Sequence, residues 1–214
     1  MSAESTGIGE LAAPAKPLTS GKGEAELVYV GFWRRLAAHA IDLAILVPYA
    51  LLTKQLIYTS RTAYLANLVI GTLIAIVFEV YLVKRFGGSP GKIILGVRIA
   101  RSDGSQVGYK QACIRYSVLF LITMLSSIGL LMSLFSMTDI QYAAFSSAKV
   151  SVKALEAGAP AWYQPVQIVG SVWVYSEFLV LLTNKKRRAL HDFMAGTVVI
   201  RNPQTIVGVR PGMV

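Results

Sequence analysis

The sequence predicts an all-α transmembrane bundle of four spanning helices, with both termini cytoplasmic and a small cytoplasmic β-sheet at the membrane face. Three observations predict it. The 214 residues are 54% hydrophobic but only 15% charged, where a soluble domain carries nearer a quarter. The apolar residues are bunched into four long runs instead of spread at helix or strand periods. Basic residues border these runs unevenly, which is the signature of a membrane orientation.

The first run covers residues 36–53 and is interrupted by His39, Asp42 and Pro48. The second, 63–83, is apolar except for Asn67, Thr72 and Glu79. The third covers 116–137, and the fourth, 166–183, contains Glu177. Each has roughly the 17–25 residues that a helix needs to cross a ~30 Å hydrocarbon core. Pro48 is expected to kink the first helix, a break that neighbouring helices tolerate.

Counting Lys and Arg in the connections gives 17 on the side that holds both chain ends and the 84–115 connection, against four on the other. The positive-inside rule then places both termini in the cytoplasm. The net charge of +10 is read the same way, as orientation and contact with anionic headgroups. Nucleic acid is not an expected partner. The Lys185–Arg188 run (KKRR) fits such a headgroup contact.

Residues 1–30 are Ala/Gly/Pro-rich and lack the basic start and continuous apolar stretch of a secretory signal. They are expected to form a disordered cytoplasmic leader, followed by a membrane domain over 31–202 and a cytoplasmic tail over 203–214. Within the cytoplasmic connection, 92–100 (KIILGVRIA) is rich in β-branched residues and runs into the turn signal RSDGS. Residues 196–200 (GTVVI) are a second strand candidate, and the two are expected to pair. An interfacial helix is expected from 108 to 115, and a short surface helix over 146–156. Trp162 and Tyr163 suit a membrane interface.

Three acids lie inside the apolar runs, where ionisable groups are functional candidates. Asp42 falls roughly 10 Å, Glu79 roughly 6 Å and Glu177 roughly 9 Å from the cytoplasmic ends of their helices. One polar pocket would unite them. Arg35, His39 and Asp42 share one helical stripe at i, i+4, i+7. Arg115 or Lys92 is expected to fold in to meet Asp42. His39 is placed either to relay protons to Asp42 or simply to pack at the interface. Each acid also has a plainer reading, that of fastening helices together.

The Gly87–Lys92 stretch (GGSPGK) does not satisfy a phosphate loop. Phe86 stands where its first glycine belongs, and Ile93 where Ser or Thr should follow. With one cysteine, Cys113, and two histidines, neither an intrachain disulfide nor a Cys/His metal site is expected. No cofactor is implied. No nucleophile–base pairing is visible, so the chain is not read as an enzyme.

The segments Gly31-Phe-Trp-Arg-Arg-Leu-Ala-Ala-His-Ala-Ile-Asp42, Gly88-Ser-Pro-Gly-Lys-Ile-Ile-Leu-Gly-Val-Arg98, Asp103-Gly104, Arg115 and Arg188-Ala-Leu-His-Asp-Phe-Met-Ala-Gly-Thr197 resemble the RDD family of bacterial multi-pass membrane proteins. The Arg and two Asp of that name map to Arg35, Asp42 and Asp192. The resemblance implies structural roles for Asp192, Gly91 and Gly196, and a bacterial inner-membrane location. It also implies one of two activities. One is a small transporter, of the monovalent cation/proton exchange kind; in it Asp42 carries Na⁺ or a proton, Glu79 and Glu177 assist by their position alone, since they lie outside the family's motif, and four helices are few enough to require a homo-oligomer. The other is a non-catalytic adaptor of a larger membrane complex.

Overall fold

The structure, a computed structural model, describes residues 27–184 and 187–202. The expected leader up to residue 26, the tail from 203 and Lys185–Lys186 of the basic run lie outside the described residues. Among the described residues, four helical stretches are long and apolar enough to cross a membrane: Phe32–Thr59, Arg61–Ile94, Tyr109–Ser136 and Tyr163–Thr183.

Helix α1 spans Phe32–Thr59, with Pro48 inside it. At 1.5 Å per residue its 28 residues reach about 42 Å, longer than the hydrocarbon core. The turns beyond 53 are helical because something covers them. Ile57 packs with Leu134, Phe145 and Leu155, and the Ile57 and Tyr58 carbonyls accept from Tyr142 Oη and Ser146 Oγ. Only Ser60 separates α1 from α2 (Arg61–Ile76), and its hydroxyl caps the new helix by accepting from the Ala63 amide.

From Ile76 the chain passes through one π-helical turn, Val77–Tyr81, into α3 (Leu82–Phe86), which ends at Gly87 with φ of 80°. Then comes α4, Pro90–Ile94. The strand expected over 92–100 is therefore shorter than its β-branched composition suggests. Ser89 at the N-cap and Pro90 at the first helical position start a helix there, and only Val97–Arg101 (β1) is extended. After the turn at Gly104, α5 runs unbroken from Tyr109 to Ser136, so the 108–115 segment is the first two turns of the span itself.

At the opposite end, α6 covers Asp139–Ser147, and a 3₁₀ helix covers Val152–Gly158. The surface helix expected over 146–156 is thus displaced. A reciprocal Thr138–Gln141 capping box begins it early, and Lys149, at φ 47°, breaks the backbone between the two pieces. Helix α7 (Tyr163–Thr183), the short α8 (Leu190–Ala195) and β2 (Thr197–Arg201) complete the chain. Tyr163 is buried, while Trp162 is exposed.

β1 and β2 pair antiparallel, with Val97 opposite Arg201 and Arg101 opposite Thr197. Residues 27–30 line the other edge of β2. Val30 N donates to Val199 O, Arg201 N donates to Val28 O, and Tyr29 bridges Ile200. That end of the expected leader is therefore part of the fold. Both sheet faces are covered, one by Val30, Val83, Val107 and Ala112, the other by Leu27 and Tyr29. The sheet, α4 and α8 all sit at the end of the bundle where α1 and α5 begin and α7 stops.

Candidate functional site

Asp192 is the hub of the sheet end. Its side chain is completely buried, and such a charge is tolerated only when fully paired. Arg35 of α1 reaches one oxygen at 3.0 Å, and Arg115 of α5 pairs with the other. Thr197 Oγ1 donates to that second oxygen at 3.1 Å, and the Ala189 amide donates to the first at 3.1 Å. Burial alone would raise the Asp192 pKa, but Arg115, His191, Arg35 and the Ala189 amide overcome it. They hold the carboxyl well below the usual carboxylate range. One carboxylate thus ties α1, α5, α8 and β2 together.

Arg115 also reaches His191, with its NH2 at 2.9 Å from Nε2. On the far side of the ring, His191 Nδ1 lies 2.7 Å from Glu177 Oε2, and the His191 amide donates to Glu177 Oε1 at 3.0 Å. A proton on Nδ1 satisfies every partner: it is donated to Glu177, and Nε2 accepts from Arg115. The chain arginine–imidazole–carboxylate therefore runs from the hub into α7.

Asp42 occupies a second centre. Its Oδ2 accepts from Ser89 Oγ at 2.5 Å, and its Oδ1 accepts from the Gly91 amide at 2.8 Å. Asp42 thus caps the first turn of α4 from a neighbouring helix, as an N-cap side chain would do from its own. The approach is close enough that a Cβ on Gly91 would collide with the Ala38 carbonyl. Of the charge partners expected for Asp42, Arg115 is committed to Asp192 instead. Lys92 does face Asp42, acting on it through space, and its Nζ lies 3.3 Å from the Ser89 Oγ that Asp42 also holds.

Between the two centres lies a cavity of about 330 Å³, lined on its polar side by Arg35, His39, Glu79, Lys92, Arg115, Glu177 and His191. Helices α1 and α7 face each other across it. A second cavity of about 490 Å³ continues it past Asp42 toward Tyr49 and Thr53, sharing His39, Glu79, Tyr116 and Leu119. The single pocket expected for the three acids is thus two joined spaces. Asp42 and Glu177 stand at opposite ends, and Glu79 stands where they meet.

Glu79 is in the middle of the π-helical turn. Such a turn inserts an extra residue and redirects the side chains after it, and it recurs at functional sites. Among the described residues Glu79 makes no hydrogen bond and no ion pair. It is the carboxylate whose field acts most strongly on Lys92, ahead of Asp42 and Asp192. His39 lines both cavities beside it. The joined cavities are lined by three cations (Arg35, Lys92, Arg115) and three carboxylates (Asp42, Glu79, Glu177). Of these carboxylates Glu79 alone has no direct donor among the described residues, in a low-dielectric site where that counts most.

His191, Ser89 and Thr197 did not emerge as site residues from the sequence. His191 stands in the quoted Arg188–Thr197 segment, directly before Asp192, and that adjacency was the available signal. Gly196 is at φ 67° and closes α8 as a left-handed cap.

No curated protein and no solved structure matches the chain significantly. The model of the RDD family matches residues 29–196, which include Arg35, Arg115 and Asp192 of the hub, the Asp42 centre and all four apolar helices. The chain belongs to the RDD family of membrane proteins.

Proposed function

We propose that the protein is a small secondary transporter exchanging a monovalent cation, such as Na⁺, for protons, with Glu79 as the exchanging carboxylate. The observation that carries this reading is the state of Glu79. It is half-buried in the apolar bundle and makes no hydrogen bond or ion pair among the described residues, while it lines both cavities. A carboxylate without a direct partner in an apolar run is a place where one proton or one small cation binds. Taking either in turn is the elementary event of exchange. His39 lines both cavities beside it and would hand the proton on, and Lys92 supplies positive charge on the wall of the same space.

Asp42 has a different part in this scheme from the one its place in the sequence implies. With both oxygens engaged it holds α4, and so Lys92, against the cavity while adding to the local negative potential. Arg35, Arg115 and Asp192 are the frame.

The protein is proposed to lie in the bacterial inner membrane with both termini cytoplasmic, following the 17-to-four charge asymmetry. Exposed Arg85, Arg101, Lys110 and Arg201 at the sheet end suit anionic headgroups. They would equally suit the acidic face of a partner complex, which is the adaptor reading. A homo-oligomer is proposed because α1 and α7 leave the cavity open between them. No enzymatic step or nucleic-acid partner enters the scheme.

The test is proton flux in liposomes holding the purified full chain and a pH dye, with Na⁺, K⁺ or Li⁺ gradients imposed in turn. Cation influx driving proton efflux is expected for at least one ion. A folded protein that moves protons with none of them, while co-purifying with a defined membrane complex, would establish the adaptor instead.

A further inference from the structure

A third cavity, of about 310 Å³, lies between α2 and α5 and shares Tyr49, Gly71, Ala75, Tyr116 and Thr123 with the second. It reaches Tyr64, three residues past Arg61, or about 5 Å from the start of α2, where Tyr64 packs on the cluster that α6 and the 3₁₀ helix complete. Tyr116 lines all three spaces, so they adjoin one another along the bundle. The lining is unusual for the middle of apolar helices: Tyr49, Tyr64, Asn67, Thr72, Thr123 and Ser127 all face it.

The hydroxyls of Thr72 and Thr123 donate back to the Leu68 and Leu119 carbonyls, each at 2.8 Å. Their lone pairs are left to accept. Tyr49 Oη donates to Asn67 Oδ1 at 2.9 Å, bridging α1 to α2 at the junction of the second and third cavities. Gly71 allows that bridge, since a Cβ there would stand 3.0 Å from Tyr49 Oη. The Asn67 amide NH₂ has no protein acceptor among the described residues. A half-buried amide in a spanning helix without a partner is costly in hydrocarbon and calls for water. The space holds about ten waters at their liquid volume.

We propose that this cavity is a water-filled vestibule. A proton or small monovalent cation reaches Glu79 through it from the face opposite the sheet, with the Tyr49–Asn67 bridge as its waist. The cargo rests on the exchange reading, whereas the water does not.

The test separates them. In the full chain carrying Cys113→Ser, which removes the sole cysteine, Thr72→Cys and Ser127→Cys are each treated with a membrane-impermeant cationic thiol reagent. The protein is held in sealed liposomes and the reagent added to one face at a time. Leu73→Cys and Val69→Cys, on exposed apolar positions of α2, serve as lipid-facing controls. Thr72→Cys and Ser127→Cys should both react from the face opposite the sheet at least about tenfold faster than the controls. Equally slow reaction at all four positions, as in a dry or acyl-chain-filled gap, overturns the vestibule. So does reaction of Thr72→Cys from the sheet face alone. The expected labelling in a protein without ion flux keeps the vestibule and removes the exchange reading.

Discussion

The Arg35 guanidinium lies 3.0 Å from the Asp192 carboxylate, joining the first spanning helix to the last short one across 157 positions of sequence. Arg115 pairs with the other oxygen of the same residue. Asp192→Asn removes the carboxylate paired directly with both guanidiniums. Breaking a buried pair from one side costs about 3–5 kcal/mol. A large drop in detergent melting temperature and in folded yield is expected, while Thr197→Val should cost less, about 1 kcal/mol, for one hydrogen bond. Equal stability of Asp192→Asn and the native chain would remove Asp192 from the frame.

The same carboxylate has a defined pH signature. Its folded pKa is depressed, so its stabilisation is complete above the unfolded value near 4 and is lost as pH falls toward the lower folded value. Melting temperature should therefore not change on its account between pH 6 and 8, and should fall below about pH 4. Asp192→Asn should flatten the acid limb of that curve. An unchanged acid limb in the variant assigns it to other groups.

Two glycines separate steric from conformational demands. Gly91 meets the Ala38 carbonyl of α1, backbone against backbone, so Gly91→Ala must part α1 from α4 and cost about 3 kcal/mol. Gly196 has open space around it but sits at φ 67°. Gly196→Ala should cost about 1–2 kcal/mol, and Gly196→Asn less, because Asn tolerates that region. Thermal melts of the three variants give the order directly.

Asp42 distinguishes capping from exchange. Asp42→Asn keeps an acceptor for the Gly91 amide and a group that Ser89 can pair with, but loses a charge. The fold should hold, and the cation concentration for half-maximal flux should rise several-fold. Asp42→Leu leaves the Gly91 amide and the Ser89 hydroxyl unpaired and should lower stability by about 2–4 kcal/mol. A well-folded Asp42→Asn protein with no flux at all would return the exchanging role to Asp42.

The four apolar runs carried the bundle plainly, since length and hydropathy alone set a span. Where the structure departs from expectation, a local rule was decided by a distant contact. Residues 54–59 continue α1 because α6 covers them, and no property of Lys-Gln-Leu-Ile-Tyr-Thr announces α6. Lys92–Ile94 read as strand by their side chains, yet Ser89 and Pro90 begin a helix that Asp42 caps from 49 positions away. The acids were legible as candidates because any carboxylate in an apolar run is conspicuous. Their division of labour was not. That Asp42 is saturated and Glu79 is not depends on Ser89, Gly91 and a π-helical turn, and periodicity counts cannot see such a turn.

The most direct measurement is cation-driven proton flux by Glu79→Gln in liposomes, beside the native chain and with Glu177→Gln as a second variant. Glu79→Gln is close in shape and breaks no hydrogen bond or ion pair among the described residues, so its melting temperature should match the native value. Its flux should fall at least about a hundredfold, whereas Glu177→Gln, which disturbs the His191 contact, should lose stability and retain measurable exchange. Native flux from a folded Glu79→Gln protein would contradict the assignment of the exchanging carboxylate.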